Sequence, residues 1–270
     1  MPTASCLHLI PAEARDQLQD LQWQASDRAN ARSLGSMPGY GQFCPIAQAA
    51  EVLTERWTPL VIREIALTGS RRFNDIQRGV PLMSSSLLSK RLRQLERAGI
   101  VERRQRPGGA GSEYHLTAAG EELGPVVAQM GLWSERWLRR PIFEETPDTG
   151  LLMWWLRGTV KTDELPAGRT VIHFCFSGAP EKLRRFWLVF PEADLCLTDP
   201  GFGVDVTLRS DPQTLTAVWV GDLALAAALR RHTIELEGPS HLVRSFPKWF
   251  GLHPLYAGVD HPASRPRVSA

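Results

Sequence analysis

In the segment SSSLLSKRLRQLERAG, Leu88, Leu92 and Leu95 recur at i, i+4 and i+7, the spacing that lines one narrow stripe of a helix. Ser84 is a good N-cap and Gly99 a good residue just past the C-terminus, so a helix is predicted between them. At about 100° per residue, the face opposite the leucines holds Ser86, Lys90, Arg93 and Arg97, with Ser85 and Ser89 beside it. Short hydroxyls next to long cations suit a helix that approaches a major-groove floor while Lys and Arg reach phosphates or guanine edges.

The flanking pattern completes a unit. CPIAQAAEVL reads as a first helix, and Thr58 with Pro59 as the N-cap and first-position proline of a second, PLVIREIAL, stopped by Gly69. RRFNDIQRGV is a third, short helix with Phe73 and Ile76 as its apolar contacts. After the fourth helix, IVERRQRPGGAGSEYHLT reads as a β-hairpin, residues 100–106 and 113–116 joined by the loop PGGAGS. This order defines a winged helix-turn-helix, with Arg103, Arg104 and Arg106 on the wing where they track a sugar-phosphate backbone. Thr117 then caps a long helix whose Val126, Met130, Trp133 and Trp137 form one more apolar stripe. The small helical core is already complete upstream, so a subunit interface is expected there, and a two-fold dimer would match a palindromic operator.

Beyond the stretch RRPIFEETPDTG the pattern changes. TVIHFCFS, LRRFWLVFP, ADLCLT and VDVTLRS are four short strands, DPQTLTAVWVGD and DLALAAALRR two helices, HTIELEG a fifth strand and PSHLVRSFPKWF a final helix. An antiparallel five-stranded sheet covered on one side is expected, and the whole chain is classed as α+β. The predicted domains are a poorly ordered tail 1–36, a winged helix-turn-helix and dimerisation domain 37–140, a second domain 151–258 and a C-terminal tail 259–270. Met37 is a candidate natural start.

Charge sharpens the division. The net +2 of the 270 residues conceals −1 over residues 1–36, +5 over 37–140 and −2 over 141–270, so the basic excess falls on the winged unit. No apolar run approaches the ~20 residues of a membrane span, and acidic residues stand where a secretory signal carries basic ones, so a cytoplasmic protein is expected. Cys6, Cys44, Cys175 and Cys196 are scattered without a CxxC pair and read as reduced thiols rather than metal ligands or disulfides. His173, His232 and His241 lack matching nucleophile or carboxylate motifs and no phosphate-binding glycine signature occurs, so neither an enzyme nor a cofactor is expected.

Residues 43–138, through CPIAQAAEVL, ERWTPLVIREIAL, RRFNDIQRGVPLMSSSLLSKRLRQLERAGIVERR and EYHLTAAGEEL, resemble the HxlR family of bacterial winged-helix regulators. The resemblance implies a dimeric transcription factor, commonly a repressor, with the serine-rich helix in the groove; Leu87 departs from the small or polar residue usual there. Some family members sense quinones, aldehydes or oxidants through a cysteine at the position of Cys44, a role that needs an accessible thiol of lowered pKa; the other reading is a small packed residue at a helix start.

The C-terminal part, through Asp211-Pro212, Gly221-Asp222 and Gly238, is similar to the sterol-carrier-protein fold. That similarity implies an apolar tunnel between sheet and helices for a fatty acyl, sterol or related effector, with Trp187, Phe190 and Trp219 as candidate lining residues. Trp249 and Phe250 add to the same apolar complement, which could equally fill a closed core. A ligand-responsive, dimeric DNA-binding regulator is therefore the leading reading. The alternatives are a lipid or acyl carrier whose helical half serves protein contacts, and a thiol-switch regulator acting through Cys44 alone.

Overall fold

The structure is a computed structural model that describes residues 39–106, 108, 111–138 and 147–254. The tails expected at 1–36 and 259–270, the Met37 start, Cys6, and residues 139–146 of the interdomain stretch lie outside the described residues.

Helices α1 (Pro45–Leu53), α2 (Thr58–Ala66), α3 (Phe73–Gly79) and α4 (Ser85–Arg97) are followed by strands β1 (Val101–Gln105) and β2 (Ser112–Leu116) and the long helix α5 (Ala118–Trp137). Their common core gathers Val61, Ile62, Ile65, Ile76 and the three stripe leucines of α4, all essentially removed from water. The Ser84 hydroxyl accepts from the Leu87 amide at 3.3 Å and Gly99 turns left-handed at φ 70°, so α4 begins and ends where its sequence signals place it. Thr117 caps α5 by accepting from the Gly120 amide at 3.2 Å. The expected cap of α2 is different. Thr58 lies inside the helix and is buried, while the N-cap is Trp57, left-handed at φ 78° with no side-chain bond. Burial of Thr58 against the core outweighs a cap that Pro59, lacking an N–H in the first turn, makes less necessary.

The second core is built on a five-stranded sheet. Its strands are β3 (Thr170–Phe176), β4 (Arg185–Phe190), β5 (Asp194–Cys196), β6 (Val206–Ser210) and β7 (Ile234–Glu237). They are covered by α6 (Thr149–Leu156), α7 (Pro212–Trp219), α8 (Leu225–Arg230) and α9 (Ser240–Trp249). The spatial order is β5-β4-β3-β6-β7, and β3 runs parallel to β6. The sheet is therefore mixed, not antiparallel throughout as the strand spacing suggested. After β5 the chain passes to the far edge of β3, where the Asp205 carboxylate accepts from the Val171 amide at 2.8 Å and the Asp205 amide donates to the Val171 carbonyl at 3.0 Å. Strand lengths and turns alone do not encode that change of edge.

Helix α6 is absent from the sequence reading, and it joins the two cores. Its residues TGLLMWWL are apolar nearly all round, as expected of a helix packed on more than one side. It packs on α3 and α7, and its two tryptophans close over Glu64 of α2, a carboxylate with 0% exposure. Trp155 Nε1 donates to Glu64 Oε1 at 3.0 Å and Trp154 Nε1 to Glu64 Oε2 at 3.3 Å. Arg63 forms a 2.8 Å ion pair with the same carboxylate and lies 4.3 Å from the Trp155 ring centroid. Arg157 stacks 3.6 Å from Trp154. Gly79 leaves the room this requires, because a Cβ there would lie 1.9 Å from the Glu64 carboxylate. At the far side of Trp155, His253 meets Trp219 edge-on at 4.6 Å and its amide donates to the Trp219 carbonyl at 2.9 Å. Burial, assisted by the nearby Arg63 charge, pushes the His253 imidazole down to about 4.

Candidate nucleic-acid interface

On α4 the inner stripe is sealed and the outer face is open. Leu88, Leu92 and Leu95 are buried; Ser85, Ser86, Lys90, Arg93 and Arg97 are exposed, and Ser89 is half-buried. Lys90, Arg93 and Arg97 have no ion-pair partner among the described residues. Leu87 is half-buried and packs against the hydrophobic core.

One cation of this helix behaves otherwise. Arg91 is buried, its Nη2 donating to Glu55 Oε2 at 2.9 Å and to the Arg56 carbonyl at 3.2 Å. It ties α4 to the α1–α2 connection and so fixes the angle at which the outer face is presented. Its position beside the leucine stripe was the only sequence signal for this role.

The wing divides similarly. Arg103 is exposed and without an ion-pair partner among the described residues, whereas Arg104 pairs with Glu102 and Arg106 lies 3.5 Å from Glu113. The hairpin is in register from Val101 opposite Leu116 to Gln105 opposite Ser112. A bridge from Arg72 to Glu113 and the Tyr114 amide's bond to the Arg71 carbonyl, 2.8 Å, anchor its root to the start of α3. Arg71 and Arg72 thus join the basic rim, two residues the sequence pattern placed only at a helix start. Arg71 Nη1 lies 3.1 Å from His115 Nδ1.

The other expected site residues separate. Val126, Met130, Trp133 and Trp137 all stand exposed along α5, Trp133 and Trp137 by more than half. Phe43 and Ile46, at the start of α1, are exposed as well. Cys44 occupies the N-cap position of α1, half-buried and reduced, and has no charged partner among the described residues. Trp187, Phe190 and Trp219 do not line one space. Phe190 and Trp219 are in the main core between sheet and helices, but Trp187 belongs with Val171 and Val189 on the opposite sheet face. Strand alternation separates positions 187 and 190, so the expectation of a shared lining is corrected. No group of His, Cys, Asp and Glu able to hold a metal, and no helix long and apolar enough to cross a membrane, occurs among the described residues.

A cation-bearing helix held on a three-helix base and flanked by a basic hairpin is the winged helix-turn-helix class of DNA-binding unit. The HxlR-like helix-turn-helix family matches residues 52–141. The HTH-type transcriptional regulator YvaP of Bacillus subtilis (strain 168) is 34% identical over 99 residues, 36% of this chain and 91% of that protein. The regulator sll1512 of Synechocystis is 37% identical over 111 residues, 41% of this chain and 82% of that protein. The regulator YodB of Bacillus subtilis (strain 168) is 34% identical over 95 residues, 34% of this chain and 84% of that protein. The chain belongs to the HxlR family of helix-turn-helix transcriptional regulators, and its second core lies beyond the family match.

Proposed function

We propose that the protein is a dimeric, DNA-binding repressor that grips a palindromic operator through residues 37–140 and carries in residues 151–258 a sterol-carrier-like domain for an apolar effector. The observation that carries the DNA-contact assignment is the exposed charge of Lys90 and Arg93, without an ion-pair partner among the described residues, on the open face of α4 next to the hydroxyls of Ser85, Ser86 and Ser89. The serines admit the helix to the major groove, Lys90 and Arg93 reach phosphates or guanine edges, and Arg103 follows the backbone from the wing. Arg104 and Arg106 reach DNA by exchanging a carboxylate for a phosphate, so each contributes less than Arg103.

The dimer reading rests on the exposed α5 stripe of Val126, Met130, Trp133 and Trp137, a row too apolar and too long to leave in water. A second copy is the occupant that doubles the recognition helix to suit a two-fold operator. The effector reading is supported by element order. Strand β6 leads through Asp211-Pro212 into α7, Gly221-Asp222 into α8, and β7 ends at Gly238 before α9, the order that suggested the sterol-carrier resemblance. Helix α6 provides the mechanical connection, because a ligand that shifts it moves the tryptophans on Glu64 of the DNA-binding half.

Gel-shift titration with the protein's own upstream DNA at several salt concentrations tests the proposal. Affinity is expected to fall steeply with salt, and the Lys90→Ala, Arg93→Ala double variant to bind at least about tenfold more weakly. Undiminished binding by that variant would remove α4 from the groove. Sedimentation of the Trp133→Glu, Trp137→Glu variant checks the dimer: a monomer is expected, and an unchanged dimer would move the interface elsewhere.

A further inference from the structure

The sheet face turned away from the main core carries its own chemistry. Along β3, Ile172, Phe174 and Phe176 enter the core, so His173 and Cys175 point to the other side. The register places Arg185 of β4 and Arg209 of β6 directly on either side of Cys175, and Trp187 beside His173. His173 stacks on Trp187 with ring centroids 4.5 Å apart and an interplanar angle of 13°, and its imidazole lies 3.4 Å from Cys175 Sγ. A cavity of about 530 Å³ opens over this row, lined by His173, Cys175, Ser177, Arg184, Arg185 and Arg209 among others. That volume is in the range of small-molecule sites, roughly 300–1,000 Å³.

The charged residues of its lining are all arginines, with Glu235 and Glu237 of β7 standing next to Arg209 outside the lining. Arg209 is held by Glu237 at 3.0 and 3.2 Å, which fixes the guanidinium over the strand, while Arg185 has no ion-pair partner among the described residues. Arg184 is oriented by its Nε donating to the Ala179 carbonyl at 2.9 Å. Burial together with Arg209 and Arg185 holds His173 below its ordinary value, and burial holds Cys175 above its own. Both shifts favour the uncharged forms, so the positive charge of the lining is that of the arginines.

We propose that this outer-face cavity binds a small aromatic carboxylate, its anionic end on Arg185 and Arg209 and its flat body along the His173–Cys175 wall. A paired guanidinium recess favours a carboxylate, and the ring and thiol wall favours a planar apolar body over a fully hydrated ion. The site belongs to the C-terminal sheet and lies on the face opposite the sheet–helix core, so failure of the DNA-binding reading leaves it standing.

Benzoate is the probe, and Cys175 the local reporter. Alkylation of each cysteine by a maleimide, followed by peptide mass spectrometry on the full chain, is expected to slow at Cys175 when benzoate is added and to be unchanged at Cys44. In the Arg185→Gln, Arg209→Gln variant the benzoate concentration giving half-protection is expected to rise at least about tenfold, the loss of one to two charge-assisted contacts. Both arginines are exposed, so the variant keeps the core, which its thermal transition checks. Labelling of Cys175 at an unchanged rate in saturating benzoate overturns the proposal, as does protection that survives in the variant. Equal protection by inorganic phosphate overturns the aromatic half of it.

Discussion

The open face of the recognition helix and the seam between the two cores treat their arginines in opposite ways. On the outer side of α4 and on strand β1 of the wing, Arg93, Arg97 and Arg103 are exposed and have no ion-pair partner among the described residues. At the seam, Arg63 and Arg157 are stacked on tryptophan, and Arg63 is also clasped by Glu64. A cation that nothing within the chain neutralises is available to an external anion at little cost. A cation already paired must first give up its partner. Net charge per segment located the basic excess in residues 37–140, yet only the pairing tells which of its cations are available.

The strongest break in this contrast is at Glu64. Replacing it by Ala leaves the half-buried Arg63 without its carboxylate and the Trp154 and Trp155 N–H groups without this acceptor. Loss of a buried, hydrogen-bonded charge partner costs about 3–5 kcal/mol, so Glu64→Ala is expected to lower the denaturant midpoint severely. Glu64→Gln, which keeps one acceptor and loses the charge, should be milder. If Glu64→Ala unfolds like the parent, the seam does not hold the two cores together.

A related experiment needs no mutation. The His253 imidazole titrates near 4 in the folded chain and near 6.5 when unfolded, so between these values the unfolded state binds the extra proton. Its contribution is fully present above pH 6.5 and is lost as pH falls toward 4, at most about 3 kcal/mol from the size of the shift. Urea midpoints measured from pH 7 down to pH 4 should fall more for the parent than for His253→Phe. Parallel curves would remove His253 from the acid sensitivity.

Arg91 and Arg93 sharpen the comparison on a single helix. Arg91→Ala breaks the bonds to Glu55 and the Arg56 carbonyl and is expected to cost about 2 kcal/mol of stability. Arg93→Ala should leave stability within about 0.5 kcal/mol and weaken operator binding several-fold. Unfolding curves and gel shifts on the same two proteins decide it, and equal loss of stability in both would deny that the inner and outer faces differ.

The parts legible in the sequence were those set by local rules. The leucine stripe, Ser84, Gly99 and Thr117 define α4 and α5 because caps and periodicity are carried by neighbouring residues. The five strands were legible for the same reason, but the parallel pairing of β3 with β6 was not, since register between segments some 35 residues apart leaves no local trace. Helix α6 escaped because an all-round apolar helix has no amphipathic period. Trp187 and Phe190 are a different lesson. Their odd spacing on one strand already assigned them to opposite faces, and aromatic content alone was a poor substitute for that count.

The smallest effect is expected at Cys44. A responsive thiol needs stabilisation of its thiolate by a neighbouring cation or an effective helix terminus. Cys44 makes no side-chain cap bond at α1 and has no charged partner among the described residues. Cys44→Ser is therefore expected to leave operator affinity unchanged, both in reducing buffer and after brief treatment with diamide. Were oxidant to release DNA from the parent and not from Cys44→Ser, the ligand-driven and thiol-driven readings would exchange places, and regulation would enter through α1 instead of the seam at Glu64.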